Sequence, residues 1–211
     1  MEEGFDGGIC GASEKGDAMI TIEDFCSRHR ACPDGREWAL ANCRTMQDAW
    51  DTARPEWLVW IATRPGVLDD RTLRRFAVWS VRQVQHLMED PRSVAALDLA
   101  ERHADGKATD EELAAAWTDA WNAACRAARC CASRVAAGAA RAAAEAAARS
   151  SGAAALVAAE AAAWDAAWVA AEAAWDAAGA EEVARDAFGA ARAEQAAWLR
   201  ENAKPNFDFP A

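Results

Sequence analysis

From Glu111 to Trp198 the chain is close to half alanine, with tryptophans and carboxylates set into that background at helical spacing. The clearest stretch is AAAWDAAWVAAEAAWDAAGA at 161–180. At 100° per residue, Trp164, Trp168 and Trp175 fall within a narrow stripe, and Asp165, Glu172 and Asp176 form a second stripe beside it. The rest of the circumference carries little but alanine, which lets another helix approach at the short end of the usual ~8–10 Å interaxial range.

This alanine-rich part divides at Ser150-Ser151-Gly152, the only turn signal before Gly179. Residues 111–150 hold five arginines against four carboxylates, whereas residues 151–182 hold six carboxylates and no basic residue. Antiparallel packing would bring opposite charges together along the seam, so a long helical hairpin is expected. A last helix should run from Glu181 to Asn202, ending before Lys204-Pro205.

Upstream, start and stop signals come quickly. Thr21 with Asp24 should cap a short helix, Asp34 one that carries Trp38 and Leu40, and Thr45 the segment MQDAW. Pro55 suits the first turn of EWLVWIA. Asp69 should open a longer helix, DRTLRRFAVWSVRQVQHLME, Asp90-Pro91 another, and Thr109 with Glu112 forms a capping box. No segment shows the period-two alternation of a strand. The expected fold is all-α: a small head of short helices over 19–108, packed on a long alanine-rich helical hairpin or bundle over 109–202. Residues 1–18 read as a disordered acidic, glycine-rich leader and 203–211 as a C-terminal tail.

Charge and cysteine usage narrow the function classes. A formal charge of −11 and a pI near 4.8 disfavour nucleic acid as a partner and suit a basic protein. No run of strongly apolar residues is long enough to span a membrane. The start, MEEGFDGGICGASEKGDA, has neither a signal-peptide nor a transit-peptide pattern. Seven cysteines, with Cys130 and Cys131 adjacent, form no disulfide framework and read as reduced thiols in a cytoplasm.

Chemistry-bearing clusters are few. Cys26, His29 and Cys32, with Cys43 further on, offer the soft ligands that zinc prefers, but Pro33 makes a shared helix face doubtful, and no metal is expected. Cys130 and Cys131 cannot face one site on a helix and read as packing residues. His86 and His103 read as structural or surface histidines. With no nucleophile elbow, phosphate loop, zinc-protease or dinucleotide fingerprint, neither catalytic residues nor a cofactor is expected, and the chain reads as a non-enzyme. Asp165, Glu172 and Asp176 read first as a solvated face. Trp164, Trp168 and Trp175 read first as core and second as anchors for a cationic partner, for which the three carboxylates would be complementary.

The order of ACPDGREWAL at 31–40, TMQDAWDTARPEWLVWIA at 45–62, DRTLRRFAVWSVRQV at 70–84 and GKATDEELAAAW at 106–117, followed by the alanine-rich tail, resembles an alanine-rich immunity-protein family. That family is itself similar to immunity protein type five of bacterial polymorphic toxin systems. The resemblance covers about residues 19 to 205. It implies an immunity or anti-toxin protein, of bacterial or phage origin, that neutralises a toxin or defence protein by stoichiometric binding. It brings no catalytic residues. Asp34, Gly35, Arg36 and Trp38 would form a corner or contact site, while Trp57, Trp60, Arg71, Arg74, Trp79 and Arg82 would build the head. The alternative is an anti-defence protein that sequesters a small nucleotide, with tryptophans on the base and Arg71, Arg74 and Arg82 on phosphate. A self-assembling helical scaffold is a weaker third reading. The expected state is monomer or homodimer.

Overall fold

The computed structural model describes residues 19–129, 134–146 and 153–208. Residues 1–18, Cys130-Cys131 and Ser150-Ser151-Gly152, where a leader, packing thiols and a turn are expected, lie outside the described residues. What is described is all-α, with ten α-helices, one short 3-10 turn and no strand among the described residues.

Six helices occupy the first half: α1 (Ile22–His29), α2 (Pro33–Asn42), α3 (Met46–Thr52), α4 (Pro55–Ala62), α5 (Asp70–Arg82) and α6 (Pro91–Ala104). Local signals set most of their starts. The Thr21 hydroxyl accepts from Asp24 N at 3.1 Å, and Asp69 accepts from Thr72 N at 2.6 Å. Thr45 and Asp48 cap each other's backbone reciprocally. Two expectations need correction. Cys32, not Asp34, caps α2, because Pro33 takes the first helical position and leaves Asp34 inside the first turn. The Asp69 helix ends at Arg82, and the chain tightens into a 3-10 turn (Gln85–Leu87) that carries Val84 into the core.

The alanine-rich half forms four helices: α7 (Asp110–Arg129), α8 (Arg134–Ala146), α9 (Ala153–Ala178) and α10 (Glu181–Asn202). The expected single arm over 111–150 is therefore two helices, α7 and α8, packed on each other. Thr109 and Glu112 make the expected reciprocal cap on α7. Helix α9 is the hub: it contacts α5, α8 and α10 and buries Ala159, Ala162, Ala163, Ala166 and Ala167. Its approach to α8 is close, since a Cβ added to Gly138 would sit 2.8 Å from Val169 Cγ2.

The two halves share one core. Helix α10 packs on α4 and α5, and Arg200 near its end donates to the Trp50 and Ala53 carbonyls at 3.3 and 2.6 Å. The residues expected to be a tail continue it: Phe207 is buried, and its carbonyl accepts from Ile20 N at 3.2 Å.

Helices α5 and α6 are tied by charge. Arg71, Arg75 and Lys107 converge on Asp105, the closest being Arg75 at 2.6 Å. The hydrogen bonds from Arg75 and then Lys107 hold the Asp105 carboxyl at about 2, below its ordinary 3.8. A carboxyl depressed on folding stabilises fully above its unfolded value and loses that contribution as pH falls through the folded one. Asp105→Asn should therefore lower the melting temperature by a constant amount above about pH 4, and the gap should close towards pH 2. Melting curves of both chains across that window check this; a gap that persists unchanged at pH 2 contradicts it.

Candidate functional site

Gly179, at φ 64°, lets α10 fold back along α9 after a two-residue link. Because alanine faces of α9 are taken up by its neighbours, the tryptophan stripe is left on the outside. Trp164, Trp168 and Trp175 are 50, 49 and 42 % exposed, so the expected burial of this stripe in the core is not found. From α10, Phe188 meets Trp164 and Trp168 edge-on, with ring centroids 5.3 and 6.4 Å away. These rings line an open groove of about 510 Å³ together with Glu172, Asp176, Glu181 and Arg185.

The three carboxylates expected to share a face divide. Asp165 is 8 % exposed and accepts from Nε and Nη2 of Arg141 on α8 at 2.8 and 2.7 Å. It is a clamp between helices rather than part of a solvated face, as the charge difference between the two arms anticipated in kind. Glu172 and Asp176 line the groove and make no ion pair among the described residues. Arg185, the groove's cation, is engaged by Glu181 at 3.0 Å.

A second, smaller cavity of about 270 Å³ adjoins the groove at Trp164. Trp38 of α2 and Trp57 of α4 meet at 5.1 Å on its wall, and Trp60, Glu56 and Glu160 also line it. The Glu160 carboxylate is held by Arg64 at 2.7 Å, and the Arg64 and Arg54 guanidiniums lie over the Trp60 and Trp57 rings. On the α10 side the cavity meets Arg192, which is 5 % exposed. Burial pulls the Arg192 pKa below its usual value, against the pull of Glu56 and Glu160. Its Nη1 donates to Gln195 Oε1 at 2.9 Å, and Gln195 in turn donates to the Ala163 carbonyl at 2.8 Å.

The remaining expected contacts lie elsewhere. Arg36 pairs with Glu23 at 2.8 Å, and Asp34 is exposed on α2. Arg82 binds Asp98 and Glu101 at 2.7 and 2.8 Å, and Arg71 lies 3.6 Å from Asp105. None of Arg71, Arg74 or Arg82 lines either cavity. His103 Nε2 meets Asp110 Oδ1 at 2.7 Å. Cys26 is buried, which raises its thiol pKa, and the Cys32 sulfur caps α2. Burial, then Arg64 and Arg28, lowers the His29 pKa. No group of three or more metal-ligating side chains gathers among the described residues.

Sequence reasoning missed Arg192, Gln195 and Phe188. A signal existed for the first two: Arg192, Gln195, Ala196 and Leu199 stand at i, i+3, i+4 and i+7, placing two polar residues on the buried stripe of α10. No family model matches the chain, and no curated protein or solved structure matches it.

Proposed function

We propose that the chain is a binding protein that neutralises a basic protein partner by stoichiometric occlusion, as the resemblance to immunity proteins implies. The observation that supports this reading is the groove of α9 and α10, where three half-exposed tryptophans stand beside Glu172 and Asp176, whose carboxylates make no ion pair among the described residues. Large aromatic side chains on an otherwise alanine surface supply the anchors of a protein interface. The carboxylates choose the sign of the partner. A second copy docked through this groove would set Glu172, Asp176 and Glu181 against themselves, which disfavours self-association there.

No catalytic step is part of this reading. Among the described residues Cys26, Cys32, Cys43 and Cys125 are free thiols, which suits a cytoplasmic encounter. No helix of the described residues is long and apolar enough to cross a membrane.

The test is kinetic. A partner recovered by cross-linking in the native host is measured against the natural chain and against Glu172→Gln with Asp176→Asn. Asp165 is left in place because it clamps α8. The double variant should associate roughly three- to tenfold more slowly at low salt and show a flatter salt dependence, with an unchanged melting temperature. Equal association rates and equal salt slopes would remove these carboxylates from the interface.

A further inference from the structure

Twice in this chain a guanidinium lies over a tryptophan ring with a carboxylate close by. The Arg54 guanidinium carbon stands 3.8 Å from the Trp57 ring centre, and its Nε lies 3.7 Å from Glu56. The Arg64 guanidinium carbon stands 4.9 Å from the Trp60 ring centre, and its Nη2 pairs with Glu160 at 2.7 Å. Both arrangements use what arginine has and lysine lacks. A planar guanidinium can lie flat on the ring while its N–H edge stays available to an oxygen. An ammonium is a compact charge that holds its water more tightly and has no face to stack.

The α9–α10 groove repeats the ring and the carboxylate without the guanidinium. Trp168 and Trp175 are half-exposed, and neither has a cation over it among the described residues. Glu172 stands four residues after Trp168 and three before Trp175, one helical turn from each, and Asp176 follows Trp175 directly. Neither carboxylate has an ion pair among the described residues. The groove's own cation, Arg185, is engaged by Glu181 at 3.0 Å and lies over no ring there. The lining thus sets three carboxylates against one guanidinium. We propose that the groove is an arginine-binding site, in which an arginine side chain of the partner lies flat on Trp168 or Trp175 and donates to Glu172 and Asp176. The inference rests on the reading of this groove as the docking face for a basic protein, and narrows that partner to one presenting arginine rather than lysine here.

Titration calorimetry of the full chain with tetra-arginine and tetra-lysine, blocked at both ends and equal in charge, tests the proposal at about 150 mM salt, where diffuse attraction is screened. The arginine peptide should bind with a dissociation constant on the order of 100 µM, and the lysine peptide about fivefold or more weakly. Trp168→Ala with Trp175→Ala should bring the arginine peptide to within about twofold of the lysine peptide, whose own affinity should change little. If that variant does not fold, Trp168→Leu with Trp175→Leu takes its place, since it removes the ring faces and keeps apolar side chains. Equal affinities of the two peptides on the natural chain, no heat from the arginine peptide at millimolar concentration, or an arginine preference that survives loss of both rings would overturn the proposal. Equal affinities would leave a basic partner in place, because that reading is decided separately by the association kinetics of the host protein.

Discussion

Replacing Trp168 and Trp175 together by alanine will leave the protein folded, with a melting temperature within a few degrees of the natural chain, yet, on the proposed function, weaken binding of a basic partner by a hundredfold or more. The first half follows from exposure: the rings are 49 and 42 % exposed, and the backbone beneath them gains the best helix former. The second half follows from hot-spot energetics, in which a buried interfacial tryptophan typically contributes about 2 kcal/mol or more. Trp164 is a less clean probe, since it also lines the second cavity and lies 5.8 Å from the Arg192 guanidinium. Thermal melts and equilibrium binding on the same preparations separate the two effects. A cooperative loss of fold in the double variant would return the stripe to the core.

Phe207→Ala should have the largest effect on stability, about 3–5 kcal/mol, although the residue stands almost at the end of the chain. Phe207 is 5 % exposed, with Phe25 and Trp50 meeting it edge-on at 6.2 and 6.4 Å. The backbone beside it is pinned, Asn206 N donating to the Val67 carbonyl at 2.8 Å. Against a total of roughly 5–15 kcal/mol for a domain, that loss would move the denaturation midpoint far towards unfolding. Urea titrations of the two chains measure it. A midpoint that does not move would make residues 203–208 the loose tail that their polarity suggests.

Features written in a few adjacent residues were readable in the sequence. The Thr45-x-x-Asp48 and Thr109-x-x-Glu112 caps, the Asp90-Pro91 start and the extent of the last helix all depend on local hydrogen bonds and on proline geometry. The tryptophan stripe was readable as a stripe but not as a surface. Periodicity locates a face; it does not say which face is buried when the alternative is alanine. In α9 close approach wins, so the small faces turn inward to α5, α8 and α10 while the large rings stay outside. Asp165 shows the same limit at one residue, because a neighbour of the stripe on the helical wheel already points towards Arg141. The burial of Arg192 depends on α4 and α9 meeting α10, partners remote in the chain, so local pattern could mark the anomaly without giving its surroundings.

Hydrogen exchange on the purified complex with the cross-linked host partner tests the docking of a basic protein in the α9–α10 groove most directly. Binding should slow exchange in the exposed turns of α9 from Trp164 to Asp176 and in the first half of α10, where Arg185 and Phe188 face the groove. Protection confined to α2 and α6, with α9 and α10 exchanging as in the free protein, would contradict the account.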